Sequence, residues 1–150
     1  VKFAHILVQT CRESDWVIRW GGEEFVIVAR GLPKEDIENL AERICKNIEN
    51  SHFDIGLEKK LSITCSIGIA SYPFIKEFHQ QLLWDQTLNV ADKALYIAKN
   101  NGRNAWVSVS EKNVKQPENL YKNIKSDMKL SYQCGDINIR HSQSIENINL

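Results

Sequence analysis

This sequence contains few of the residues that interrupt secondary structure or form cross-links, and it has no excess of positive or negative charge. Its 150 residues include three prolines, seven glycines and one methionine, and nineteen Lys and Arg balance nineteen Asp and Glu. Zero net charge argues against nucleic acid as a partner, because nucleic-acid binding needs a surface with excess positive charge. No apolar run approaches the roughly 18 to 20 residues of a membrane-spanning helix. We therefore expect one globular domain without a membrane anchor of its own.

The four cysteines show no close pairing such as CxxC. They are scattered over helical and strand patterns, which is unlike a disulfide framework or a zinc site. We expect reduced thiols in a cytoplasmic protein, each buried as a small hydrophobe. Any membrane attachment of the parent protein would then lie upstream. These cysteines are Cys11, Cys45, Cys65 and Cys134.

The apolar pattern changes period several times along the first 110 residues. The chain opens with apolar residues at helical spacing and no capping residue before them, which indicates an excised segment that begins inside a helix. Two β-rich runs flank Gly21 and Gly22, and this predicts a tight hairpin with both glycines at the turn. The pattern then predicts an amphipathic helix after Pro33 and a strand at 61–71. A second helix is predicted at about 85–101, ending at Asn101-Gly102 with the backbone in the left-handed region. A strand at 104–109 follows.

Alternating strands and helices predict an α/β fold in which helices cover a mixed sheet. From Glu111 onward the chain is rich in Asn, Lys, Gln and Ser, and its apolar residues hold no period over a long window. We therefore divide the chain into a domain at 1–110 and a loosely ordered polar extension at 111–150. A short helix near 117–126 is compatible with that extension.

The hairpin tip carries the residues best suited to chemistry. Gly21 and Gly22 leave the backbone open to a ligand, and the following Glu23 and Glu24 could hold Mg²⁺ that bridges substrate phosphates. Neighbouring residues of a strand point to opposite faces, so Glu24 ranks behind Glu23 as a ligand. From these residues alone, an ordinary solvated hairpin end remains the favoured alternative.

Four segments together resemble the GGDEF family of diguanylate cyclases. RWGGEEF at 19–25 is similar to the family signature in its GGEEF variant, and RESD at 12–15, SIGIA at 66–70 and ADKALYIAKNNGRN at 91–104 stand at matching places. The resemblance covers residues 1–110. It implies a nucleotide-cyclase-like palm that carries the GGEEF hairpin, with the family's first strand missing from this chain.

The resemblance also implies an activity and its partners. Two GTP molecules, one on each subunit of a homodimer, would condense to cyclic di-GMP with release of pyrophosphate, using Mg²⁺ or Mn²⁺. Glu23 would be a metal ligand and the proton acceptor, and Glu24 an additional metal contact. Gly21 and Gly22 would leave room for ribose and phosphates. A sensory or regulatory domain would lie upstream in the parent protein.

The resemblance also implies that two cations near the end of the helix at 85–101 bind the terminal phosphates of GTP. Lys99 lies in the final turn and Arg103 follows Gly102, an i, i+4 spacing that could bring both to one side of the helix end. Their chemistry suits phosphate oxygens. Considered without the resemblance, they would only complement the negative end of the helix dipole.

Arg12 and Asp15 match the RxxD site, where the family binds its own product as an inhibitor, and Arg43 on the next helix could add a second arginine. A guanidinium can donate to the O6 and N7 edge of guanine. The structural alternative is a solvated corner between helix and strand. A different function, that of a non-catalytic cyclic di-GMP receptor, would use the same residues, and an inactive gene remnant is a third possibility.

The family's first strand and following helix supply further metal, phosphate and guanine ligands that cannot be placed in this sequence. Glu23 by itself is a sparse ligand set for Mg²⁺. We therefore expect the parent protein to be a diguanylate cyclase and this chain, by itself, to be catalytically incomplete.

Overall fold

The computed structural model describes residues 2–54, 60–75, 82–142 and 148–150. They form two compact units, Val1–Cys65 and Ser66–Leu150. This division lies inside the predicted 1–110 domain and not at residue 110. In the described parts of the chain, no helix is both long enough and apolar enough to cross a membrane.

The first unit is built from two helices and two small antiparallel hairpins. The predicted amphipathic helix after Pro33 is confirmed, and its inner face buries Leu40, Ile44 and Ile48. The helix that opens the chain packs against it. In chain order the elements are α1 (Lys2–Thr10), β1 (Trp16–Gly21), β2 (Glu24–Val28), α2 (Lys34–Glu49), β3 (His52–Asp54) and β4 (Lys60–Ser62), with β1 paired to β2 and β3 paired to β4.

The second unit contains a mixed three-stranded sheet in the order β5-β6-β7. β5 and β6 run parallel and are joined through α3, whereas β6 and β7 are antiparallel. Helices on a mixed sheet are the predicted fold class, which is confirmed here. Its elements are β5 (Ile67–Ala70), α3 (Trp84–Asn100), β6 (Trp106–Glu111), α4 (Pro117–Ser126), α5 (Met128–Gln133) and β7 (Ile137–His141).

The prediction of one strand at 61–71 is wrong. Its first part is β4, which pairs with β3, and its last part is β5, which pairs with β6. Residues 63–66 between them have no regular structure. The period of two is present throughout, but it does not specify a partner, and the two halves pair in different units.

For the described residues, 111–142 and 148–150, the prediction of a loosely ordered extension is also wrong, although the short helix at 117–126 is confirmed as α4. Leu120 and Ile124 on α4 are fully buried, and Ile137 and Ile139 of β7 belong to the same core cluster. The apolar residues are correctly spaced for a helix and a strand. Each run is too short for its period to be visible among so many polar residues.

Candidate functional site

The tip of the first hairpin is a turn centred on Gly22 and Glu23. Gly22 has a φ of +52°, and Gly21 is still part of β1, where it pairs with Glu24. A register shift between Arg19 and Gly21 adds one residue to β1, so pairing continues one position further than the sequence suggests. The prediction of a hairpin is confirmed, but the prediction of two glycines at the turn is wrong. Only Gly22, the first of the two central residues of the turn, has a positive φ that favours glycine, as in a type II′ turn.

Arg19 holds this turn in place, a role that was not predicted from the sequence. Its Nε and Nη2 atoms donate to the carbonyl oxygen of Gly22 at 3.1 and 2.8 Å. A forked contact to one carbonyl restrains the backbone that precedes Glu23. The signal in the sequence was an arginine three residues before a turn glycine.

The two carboxylates at the tip are exposed to solvent. Glu23 lies in the turn itself and Glu24 is the first residue of β2. A Cβ atom added to Gly22 would find no other atom within 4 Å, so the outer side of the turn is open to a ligand. The described residues contain no group of three or more His, Cys, Asp or Glu able to hold a metal. Two carboxylates fit Mg²⁺ when phosphate oxygens supply further ligands.

A cavity of about 160 Å³ lies at the corner formed by the loop between α1 and β1, the loop between β2 and α2, and α2 itself. It brings together the three residues predicted for the product site, Arg12, Asp15 and Arg43. The lining also includes three other residues of α2, which the sequence did not indicate and which lie with Arg43 on one face of the helix at i, i+3, i+4 and i+7 spacing. The full lining is Arg12, Asp15, Leu32, Asp36, Asn39, Leu40 and Arg43.

Asp15 has a structural role at this corner. It is buried, and its two carboxylate oxygens accept backbone N–H groups of Arg12 at 2.9 Å and Arg30 at 3.2 Å. The carboxylate therefore fixes the loop that carries Arg12 against the end of β2. Each oxygen keeps a second lone pair, so a ligand in the cavity could still donate to it.

The two arginines at the cavity differ in how they are held. Arg43 donates from Nη2 to the carbonyl oxygen of Thr10 at 3.3 Å, near the end of α1. The Arg12 guanidinium has no hydrogen-bond partner among the described residues. Burial raises the pKa of the neighbouring Cys11 thiol, Asp15 raises it further, and Arg43 acts in the opposite direction. The cavity thus offers two guanidinium groups and the carboxylates of Asp15 and Asp36, which can donate to and accept from the edge of a guanine base.

In the second unit, Gly102, which lies just beyond the end of α3, has a backbone conformation in the left-handed region, as predicted. Gly102 has a φ of +100°, and the N–H of Arg103 donates to the carbonyl of Ala98 at 3.1 Å, which is the Schellman pattern. Arg103 and Asn104 also have positive φ values, 59° and 47°. Arg103 lies beyond the last helical residue, after Gly102, as expected. That Lys99 and Arg103 lie on one side of the helix end stays a prediction.

Asn101 links this helix end to the C-terminal residues. Its side-chain nitrogen donates to the carbonyls of Ile97 at 2.8 Å and Asn149 at 3.0 Å, and its side-chain oxygen accepts from Asn149 N–H at 2.7 Å. These contacts restrain the segment between Lys99 and Arg103. No pattern in the sequence indicates that residue 149 returns to this point.

The predicted site residues therefore form three groups. The hairpin carboxylates and the corner cavity belong to the first unit, and the two cations belong to the second. A family model described as "Diguanylate cyclase, GGDEF domain" matches residues 1–105. The chain belongs to the GGDEF family. The tip of β1 and β2 is its GGEEF hairpin.

Individual GGDEF relatives agree with this assignment. The chain is 36% identical over 113 residues to diguanylate cyclase A of Treponema denticola, covering 75% of this chain and 29% of that protein. It is 32% identical over 103 residues to diguanylate cyclase DosC of Escherichia coli, covering 69% and 21%. A crystal structure of diguanylate cyclase SiaD in complex with its activator SiaC from Pseudomonas aeruginosa matches with a TM-score of 0.57 and 30% identity, covering 69% of this chain and 37% of that one. This chain thus spans less than a third of either curated relative.

Proposed function

We propose that this chain is part of a diguanylate cyclase that condenses two GTP molecules into cyclic di-GMP and two pyrophosphates. The observation that carries the proposal is the GGEEF hairpin, in which two exposed carboxylates directly follow the open turn glycine Gly22. Glu23 and Glu24 are the residues that would hold Mg²⁺ or Mn²⁺. The bound ion would neutralise phosphate charge and lower the pKa of the attacking 3′-hydroxyl.

The chain's own residues would position and deprotonate the substrate. The Gly22 turn admits ribose and phosphates close to the backbone, and Arg19 keeps that turn rigid. The Glu23 carboxylate would accept the proton of the 3′-hydroxyl as it attacks the α-phosphate. Lys99 and Arg103 would bind the terminal phosphates, where their charge stabilises the leaving pyrophosphate.

Cyclic di-GMP formation from two nucleotides calls for two substrate sites that face each other. We therefore place the activity in a homodimer in which each copy presents one GTP. The relative SiaD is solved with an activator protein. Regulation of this protein by an upstream sensory domain or a bound partner would act by bringing the two sites together.

The corner cavity of the first unit is the proposed product site. Arg12 would donate to the guanine edge, Arg43 would face a phosphate, and the second lone pairs of Asp15 would accept guanine N–H groups. Binding of cyclic di-GMP there would inhibit the enzyme. The same cavity would serve a receptor, so binding at this site does not by itself separate the two functions.

Replacing Glu23 by glutamine should weaken Mg²⁺-dependent GTP binding about tenfold, because one of two metal-binding carboxylates is lost while the side-chain size is kept. Calorimetric titration of the full chain with GTP in the presence of Mg²⁺ measures the effect. Product formation in the same mixtures, followed by chromatography, tests turnover directly.

Glu35→Gln is the matched control, since Glu35 is an exposed carboxylate in the first turn of α2. It removes the same charge and should leave binding unchanged. Equal GTP affinity for wild type and Glu23→Gln would contradict the assigned role of the hairpin. An absence of cyclic di-GMP from both this chain and an upstream-extended version would contradict the cyclase proposal.

Replacing Arg12 by alanine should weaken cyclic di-GMP binding at least about tenfold, because a guanidinium contact to guanine is lost. Titration calorimetry with cyclic di-GMP measures it, and Lys122→Ala on α4 is a control of equal charge change. A cyclase predicts that the Arg12 variant still binds GTP and resists inhibition by product. A receptor predicts loss of its only nucleotide affinity.

A further inference from the structure

Two cysteines of the first unit lie close together although 19 residues separate them in the chain. The sulfur atoms of Cys45 on α2 and Cys65 are 3.9 Å apart. The Cys45 thiol also faces the carbonyl oxygen of Cys65 at 3.8 Å. No role in GTP or product binding uses either side chain.

The two thiols differ in accessibility and acidity. Cys45 is buried on the inner face of α2, with 6% of its surface exposed, whereas Cys65 is half-buried in the stretch without regular structure after β4. Their hydrogen bond lowers the pKa of Cys65 and raises that of Cys45, which burial raises further. Cys65 is therefore the thiol that more readily becomes a nucleophilic thiolate.

The backbone around Cys65 allows the two sulfur atoms to move closer together. A disulfide requires about 2.05 Å between them, so the gap must close by nearly 2 Å. Cys65 is outside any helix or strand, and its segment can move without breaking a ladder hydrogen bond. The other two cysteines, Cys11 and Cys134, have no sulfur neighbour within hydrogen-bond range in the described chain.

We propose that Cys45 and Cys65 form a reversible disulfide when the protein meets a peroxide. The sulfur of Cys65 attacks one peroxide oxygen, the O–O bond breaks and water leaves, giving a sulfenic acid. The sulfur of Cys45 then attacks the Cys65 sulfur, the S–O bond breaks, and its oxygen leaves as a second water with the Cys45 proton. Two thiols and one hydrogen peroxide thus give one disulfide and two waters.

The resulting link would join α2 to the segment that leads into β5. α2 also carries Arg43 of the corner cavity, two residues from Cys45. The disulfide would stabilise the first unit mainly by restricting its unfolded state. It is a modification site independent of the cyclase proposal, because its detection needs no nucleotide.

The test treats the purified full chain with hydrogen peroxide, alkylates the remaining thiols and maps the peptides by mass spectrometry. We expect a loss of about 2 Da per chain and a Cys45–Cys65 linked peptide, both reversed by dithiothreitol. Two of the four thiols should then resist alkylation. Alkylation of all four thiols after peroxide treatment, or a link to Cys11 or Cys134, would overturn the proposal.

Single variants separate the two roles. Cys45→Ser should leave Cys65 as a sulfenic acid that dimedone traps, whereas Cys65→Ser should leave Cys45 reduced. Cys134→Ser removes an exposed thiol and should form the link as wild type does. If dimedone labels Cys45 in the Cys65 variant as strongly as it labels Cys65 in the Cys45 variant, the proposed order of attack is wrong. Circular dichroism checks that each variant folds, and the wild-type experiment is decisive even if one does not.

Discussion

A chain that stops after Glu111 is expected to lose the cooperative unfolding of its second unit. The deletion removes α4, α5 and β7, which supply five buried apolar side chains, and it leaves one edge of β6 without a partner. Truncating one such side chain costs about 2–5 kcal/mol. Losing five amounts to about 10–25 kcal/mol, which is comparable to or larger than the about 5–15 kcal/mol that stabilises a whole domain. The deleted side chains are Leu120, Ile124, Met128, Ile137 and Ile139.

Hydrogen exchange of the β6 amides, read together with a thermal scan, measures this effect. The intact chain should protect them, and the shortened chain should not. Ile124→Ala in the intact chain is a milder change that removes part of one side chain. Because Ile124 is fully buried, this variant should lower the free energy of unfolding by about 3 kcal/mol. Lys122→Ala on the exposed side of α4 should cost less than about 0.5 kcal/mol. Unchanged protection in the shortened chain would mean that residues 112–150 add no core.

Replacing Gly68 by alanine is expected to lower the free energy of unfolding by about 3 kcal/mol, the upper range for overpacking. A Cβ at this position of β5 would overlap the Ala91 carbonyl oxygen and the Leu95 amide nitrogen, and it would lie 2.9 Å from Leu95 Cβ. Both overlapped atoms are backbone atoms of α3. They cannot rotate away, so the helix must shift from the sheet.

Urea denaturation of the full chain, with hydrogen exchange of β5 and β6 as the local probe, measures the cost. Gly21→Ala is the control, because a Cβ there meets nothing within 4 Å. It should change stability by less than about 0.5 kcal/mol. Equal urea midpoints for the two variants would show that α3 does not pack against β5 at Gly68.

Strong local patterns predicted individual elements well. α2 and α3 were predicted because their apolar residues repeat at helical spacing, and the end of α3 because Gly102 can adopt a φ of +100°. The alternation at 61–71 predicts a strand but does not indicate what packs against Gly68. The structure shows all four residues of β5 half-buried, with α3 packed at Gly68. Alternation shows that a strand has two faces, but it does not show which face a helix covers.

The candidate site was predictable where its residues are neighbours in the chain. Glu23 and Glu24 follow a turn glycine directly, so the sequence alone could place them at a hairpin tip. The role of Asp15 was not predictable in the same way. Its hydrogen bond to the N–H of Arg30 depends on the end of β2 returning to the corner, a contact across 15 residues.

The sequence by itself determined the family, the helices with clear periodicity, and the residue types available at the hairpin tip, because these depend on residues close together in the chain. Only the tertiary structure decided how polar residues 111–150 complete a core, and that Arg12, Asp15 and Arg43 line one cavity. It also decided that Cys45 and Cys65 approach each other. Contacts between distant segments depend on how strands pair and helices pack, and local periodicity carries no record of that choice.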